Sequence, residues 1–471
     1  RNTKFLKNTY YEKRHIFLWR FFCSYSSNSG YYICFMRIVL LIFLFFSLSV
    51  SAQVESFDDE IFVALVAYKN KIYNKDIHTA LLHPVGMPKS PPVLNLGSRG
   101  GLQLSFDDFN RDLNDINYTI IHCDANWKKS DLDFYRYANG IQEGYLTDYS
   151  YSRTMYQQYL TYSLNFPNQE IQLKVSGNYI IKVYKNNNPN DILLTQKFYI
   201  VENSVSIDME VSKAFDPAYR YLKQEIDFSI DYQKVLLSNP DVNVKVALLQ
   251  NWRWDNAITD LKPLFVTGTS LNYNYDDNNS FWGGNEQRFI DISNFETRSE
   301  NVEGNLKRPD TVHVFTTKVK PKVQHSLIDR NTNFFGAMVI GNTGLNNGSI
   351  DAEYAMVYFY ILSDYDDKNG DYYIFGGLSL NEHDPNFKMK YNVEKKRYER
   401  RVYLKQGTYN WHYHFVNERF MVGDLRPMEG SFSETLNQYT ILVYYRGVMD
   451  DYDKLIGIKT QDYPTLNNSE R

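Results

Sequence analysis

Cysteine is scarce in this chain: there are three in 471 residues, with Cys23 and Cys34 ahead of Met36 and Cys123 alone after it. A segment beginning after Met36 therefore forms no internal disulfide, and its stability has to come from burial, which larger domains can supply. Long apolar runs are also missing. The strongest, Ile38–Phe46, falls well short of the roughly 20 residues a membrane-crossing helix needs. Charge of one sign is not in excess, with 51 Lys and Arg against 55 Asp and Glu and no large block of either. That balance argues against nucleic acid or an acidic membrane surface as the main partner. Methionine is absent from residues 1–35, a stretch with neither helical nor strand periodicity. It is read as an upstream extension outside the fold.

What is present begins with Met36–Ala52, MRIVLLIFLFFSLSVSA. One positive charge, an apolar core and small residues before the exit make the three-part build of a secretory signal peptide. Cleavage is expected between Ala52 and Gln53, leaving a protein that no longer spans a membrane. No Cys follows the cut, so the usual lipoprotein attachment residue is missing. Forty Tyr and thirty Phe, with few Ala and many Asn/Asp-rich turns, favour strands. The fold class expected is all-β: tandem antiparallel β-sandwich, immunoglobulin-like domains. The divisions expected are 53–202, 203–363 and 364–460, with a tail at 461–471.

Several stretches carry that reading. Phe62–Tyr68 is a candidate first strand. Pro84, Pro88, Pro91 and Pro92 mark an extended crossing that lacks ladder donors. Leu102, Leu104 and Phe106 alternate and should share a buried face. Strands are expected at Tyr118–Cys123, Gly177–Tyr184 and Leu193–Val201 in the first division, and at Val205–Met209, Ile226–Ile230, Val242–Leu249 and Tyr354–Leu362 in the second. Residues 267–288 read as a long loop or irregular hairpin. The third division shows Tyr372–Gly376, Lys388–Tyr391, Arg401–Lys405 and the aromatic strand Tyr409–Phe415. Its order resembles the immunoglobulin-like sandwiches of glycogen- and starch-binding modules, without their sugar-platform Trp at Leu378–Glu382.

Each chemical candidate has a competing structural account. His122 and Cys123 are strand neighbours that point to opposite faces, so a buried Cys beside an exposed or hydrogen-bonded His is expected rather than a catalytic pair. Trp252 and Trp254 are expected on one side of an extended segment with Arg253 on the other, as core rather than a sugar platform. Asp364–Asp371 fails as a calcium loop, because Gly370 as the sixth position puts Tyr365 and Gly376 where acids are required. A turn on Asn369-Gly370 is expected instead. His412 and His414 share a face and could chelate a metal with His383 or Glu418, but solvent-facing histidines opposite an aromatic core face are expected. No catalytic, metal or cofactor site is expected.

Longer blocks point further. Leu96–Ser98, Leu102–Asp108, Ile121–Trp127, Ser130 and Tyr159–Asn168 resemble the N-terminal signature of the type IX secretion system plug proteins of Bacteroidetes, formerly a domain of unknown function. Glu429–Arg446 and Tyr452–Gly457 resemble that family's C-terminal block, with Leu436 where an acidic or polar residue is expected. The resemblance implies a non-catalytic periplasmic protein, held at the outer membrane by its partner, a large outer-membrane β-barrel translocon. It implies closure of the translocon's pore while no cargo is engaged, with no small-molecule substrate. The alternative is an exported glycan-binding β-sandwich protein, motivated by the third division and the paired Trp.

Overall fold

The computed structural model describes residues 68–343, 348–417 and 419–465. The expected cleavage site at Ala52 and Gln53, the candidate strand Phe62–Tyr68 apart from Tyr68, and Glu418 lie outside the described residues. The described residues all fall within one compact unit. Its architecture is all-β, built of sandwiches from largely antiparallel sheets, none of them closed into a barrel.

The first sandwich comes from β1 (Ile77–Pro84), β2 (Leu102–Asp108), β3 (Ile116–Cys123), β4 (Leu160–Phe166), β5 (Gly177–Lys185) and β6 (Ile192–Val201). β1, β2 and β4 make one layer, and β3, β5 and β6 the other. The period-two pattern works as expected: Leu102, Leu104 and Phe106 are fully buried in one cluster with Tyr179, Ile181 and Val183 of β5. The proline segment leads into Val93–Asn95, which pairs parallel with β6. β5 is buried on both faces along almost its whole length. Its outer face, with that of β6, meets a second sandwich.

That second body uses β7 (Ser206–Lys213), β8 (Lys223–Asp231) and β9 (Val244–Gln250). The expected loop at 267–288 holds short strands, including Ser270–Asn272 and Ser280–Trp282, both paired to β8. A third core is built from β10 (Val312–Thr316), β11 (Tyr354–Leu362), β12 (Gly370–Gly376), β13 (Arg397–Lys405) and β14 (Gly407–Asn417). Gly370 opens β12, in register with Asn417. The chain then returns through β15 (Asn437–Tyr445) and β16 (Lys454–Tyr463) to complete the second body. β9 pairs with β15 from Val244↔Tyr445 to Gln250↔Tyr439, and β15 with β16. The apolar run of β15 is therefore a central strand, buried along nearly its whole length.

Sheet pairing thus crosses the sequence intervals 203–363 and 364–460. β9 and β15 share one sheet, and β11 of the first interval pairs with β13 of the second from Tyr354↔Lys405 to Leu362↔Arg397. β10 and β11 run parallel.

Buried charge ties the first sandwich to the third core. Lys405 Nζ donates to Asp107 Oδ2 at 2.6 Å, with side chains 3% and 2% exposed. The same carboxylate accepts from the Tyr354 hydroxyl at 2.6 Å and the Thr161 hydroxyl at 2.6 Å. The Lys405 ammonium also lies 4.1 Å from the Tyr159 ring centre. Burial lowers the Lys405 pKa, opposed by the charge of Asp107. Nearby, the Glu353 carboxylate accepts the backbone N–H groups of Met155, Tyr156 and Gln157 at 2.8, 2.8 and 3.0 Å. Removing one partner of such a pair strands a buried charge. Asp107→Ala is therefore expected to cost about 3–5 kcal/mol in chemical denaturation of the full chain, and Asp107→Leu with Lys405→Met to recover most of it.

Candidate functional site

His122 and Cys123 end β3 on opposite faces, as strand geometry requires. His122 is 1% exposed; its Nδ1 is 2.8 Å from the Ser130 hydroxyl and its Nε2 3.2 Å from the Ser176 carbonyl. Burial pushes its pKa down to about 4. Cys123 packs in the cluster shared by the first two sandwiches, where burial and then Asp124 push its thiol up to about 12. A protonated thiol facing away from a locked imidazole is no activated nucleophile.

The expectation of solvent-facing histidines on β14 is corrected. His412 is 6% exposed and His414 fully buried, because β14 is central in its sheet and the chain after it folds back over its outer face. His412 Nε2 lies 3.1 Å from the Asn285 carbonyl. His414 stacks on Phe375 with ring centres 4.0 Å apart, and its Nδ1 is 3.0 Å from His383 Nε2. Gly423 lies directly over this pair: a Cβ there would stand 2.3 Å from His414 Nδ1 and 2.6 Å from His383 Nε2.

Asp255 completes the cluster. One ligand atom from each of Asp255, His383 and His414 falls within 4.8 Å of the others, a set able to offer three ligands. The carboxylate of this set is already paired. Arg253, 5% exposed, already grips Asp255 through Nε to Oδ1 at 3.0 Å and a terminal nitrogen to Oδ2 at 2.7 Å. Although burial opposes it, Arg253 holds the Asp255 carboxyl below its usual range. Burial keeps the two imidazoles neutral, His383 at about 4 and His414 well below its usual value, the form in which histidine ligates a metal.

The second charge centre is Glu429, fully buried and bidentate to Arg288 at 2.9 and 3.0 Å. Burial raises its carboxyl, but the charges of Arg288 and Lys322 outweigh that and hold it at about 2. Both centres hold a buried bidentate ion pair.

The segment carrying Trp252 and Trp254 departs from the extended geometry expected. Asn251 and Trp252 both take the left-handed conformation, at φ 51° and 59°, and this turn swings Arg253 inward to Asp255. The two indoles end half-buried, packed against the edge of the core cluster between the first two sandwiches. Trp252 Nε1 donates to Gln438 Oε1 at 3.0 Å and Trp254 Nε1 to the Tyr199 hydroxyl at 2.7 Å, which leaves their ring edges and faces to line a cleft.

That cleft, about 470 Å³, lies where the three bodies meet. Its walls include the proline segment and Lys197 of the first sandwich, Trp252 and Trp254 of the second, and residues 330–338 and 377–382 of the third. Backbone strain concentrates on it. Trp252, Phe335, Leu380 and Asn381, at φ 59°, 52°, 59° and 55°, all line it, and each left-handed residue with a side chain costs roughly 1–2 kcal/mol. Such conformations persist where the surroundings over-determine them, and they gather at ligand-binding positions. Here the surroundings include Gln438 N donating to Asn251 Oδ1 at 2.8 Å and Asn381 N to the Gly376 carbonyl at 2.9 Å. Lys197 Nζ lies 4.6 Å from the Trp127 ring centre and 3.9 Å from Glu382. The sequence reading found the Trp pair and the prolines. It missed Lys197, Arg330, Phe334, Phe335 and Glu382, which no local pattern joins.

The buried histidines set a pH response. His122, His383 and His412, held near 4 by burial, take protons at about 6.5 when unfolded. The unfolded chain binds more protons between those values, so their contribution is full above pH 6.5 and is lost as pH falls toward 4. At pH 5 each such histidine is expected to cost about 2 kcal/mol. The His122→Gln protein should lose roughly 1–2 kcal/mol less than wild type between pH 7 and pH 5, read from denaturation midpoints.

The family described as type 9 secretion system plug protein, 1st domain, matches residues 77–202, the span of the first sandwich. A crystal structure of a hypothetical protein from Parabacteroides merdae is 32% identical, covering 84% of this chain and 100% of that one, with a TM-score of 0.81. No curated protein matches. The chain belongs to the type 9 secretion system plug protein family.

Proposed function

We propose that this protein is a non-catalytic periplasmic component of the type IX secretion system that seats against the periplasmic mouth of a large outer-membrane β-barrel translocon. It closes that pore while no cargo is engaged. The observation that carries the reading is the family match over residues 77–202. The build of the unit agrees with it. A plug bears on a pore as one body, and the described residues fall within one compact unit whose sandwiches are joined by buried apolar surface and buried ion pairs. The non-catalytic part draws on His122 and Cys123, which are buried on opposite faces of β3, the imidazole held in internal hydrogen bonds and the thiol in packing. Gating is then a population shift: cargo favours the translocon state to which the plug binds less well.

Affinity purification of the tagged full chain from detergent-solubilised envelope, with mass spectrometry, tests this. The expected result is one very large outer-membrane barrel, recovered mainly free of cargo. Recovery of periplasmic background alone, or a barrel recovered only with cargo inside, contradicts the reading.

A further inference from the structure

The cleft at the junction of the three bodies has three properties that together define an occupant. The first is its strained lining, described above. The second is an orphaned donor. Gln196 lines the cleft and is 6% exposed, yet its Nε2 has no hydrogen-bond partner among the described residues. A buried amide left unpaired is costly and calls for an acceptor such as a carbonyl oxygen. The third is charge. Lys197 is balanced by Glu382, whereas Lys89 and Arg330 make no ion pair with a carboxylate among the described residues. Lys89 Nζ is exposed, 3.6 Å from the Phe334 ring centre, and Arg330 spends one terminal nitrogen on the Pro464 carbonyl at 2.7 Å.

From these we infer that the cleft is the receptor for an extended peptide segment of the partner, one that pairs an acidic side chain with an aromatic, aliphatic or proline neighbour. The peptide's carbonyl meets Gln196, its carboxylate meets Lys89 and Arg330, and its apolar side chain lies among Trp252, Trp254 and Phe334. Aromatic-lined grooves recognise extended peptides in this manner. Of the rings that line the cleft, Trp252 stands at 59° to Tyr199, so this pair offers a sugar no coplanar platform. Val85 and Met87, exposed beside the proline segment, extend the apolar rim. The inference rests on the plug reading only for which protein presents the peptide.

The test pans the full chain against a phage library of short random peptides. Enriched peptides are then titrated by Trp fluorescence against wild type, Lys89→Glu and Arg330→Glu, with a chitooligosaccharide as the carbohydrate probe. Enriched peptides are expected to place Asp or Glu beside an apolar residue and to perturb the fluorescence. Each charge reversal is expected to weaken them by about tenfold, the scale of losing a close charge pair. Lys89 is exposed, so its reversal leaves the fold intact, and far-ultraviolet circular dichroism checks both variants. No enrichment, enrichment of basic peptides, affinities unmoved by both reversals, or binding of the sugar in place of peptides overturns the inference. Barrel recovery by wild type and by the double reversal alike, with no peptide binding, removes the cleft inference and leaves the plug reading. Peptide binding without any barrel removes the plug reading alone.

Discussion

The structure depends on the outer face of the first sandwich being dry. Ile180, Tyr199 and Val201 from β5 and β6 pack against Ala247, Leu249, Leu442, Tyr444 and Leu455 of β9, β15 and β16. Each fully buried aliphatic or aromatic side chain of this kind is worth roughly 1.5–3 kcal/mol. The contact is also specific, because the Tyr444 hydroxyl donates to Asn178 Oδ1 at 2.8 Å in a buried position. At its margin, Asp453 accepts from the Ala125 backbone N–H at 3.0 Å and from Lys245 at 2.9 Å. A sandwich covered on its outer face cannot swing as an independent module.

The rest follows from that packing. With the first two sandwiches locked together, the third core is held to the first through Asp107 and Lys405 and to the second through Arg253, Asp255 and the strand region around Gly423, whose N–H donates to Asp255 Oδ2 at 3.0 Å. The cleft is the remaining space between three bodies that cannot separate to close it. Of the residues with left-handed backbones, Trp252 belongs to the second body and Phe335, Leu380 and Asn381 to the third, so the strain is shared between separate segments that meet at the junction and is not borne by one loop. The histidine cluster belongs to the same junction. Arg253 is drawn from the Trp turn into Asp255, so the turn that shapes the cleft wall also occupies the carboxylate that would otherwise attract an ion.

The sequence by itself determined the strands and their buried faces. Leu102, Leu104 and Phe106 fall on one buried side because side chains alternate along a strand, and Tyr354–Leu362 is a strand with the bounds its apolar run implies. The run through Tyr439–Tyr445 had to be central because both of its faces are apolar. The blocks around Leu102–Asp108 and Ile121–Trp127 were long enough to point to the family. The opposite orientation of His122 and Cys123 was likewise legible, since it needs only the period of two.

Only the tertiary structure decided which strands meet. β9 and β15 pair although β10 to β14 intervene, and periodicity carries no information about partners far apart in the chain. For the same reason the histidines of β14 were misplaced: alternation told which face they share, but whether that face meets water depends on residues 419–432 folding back across it. Arg253 was misread as extended because the left-handed Asn251 and Trp252 have no local signature beyond the asparagine. The cleft was invisible in the sequence because its lining comes from separated segments, which only the packing of three bodies brings together.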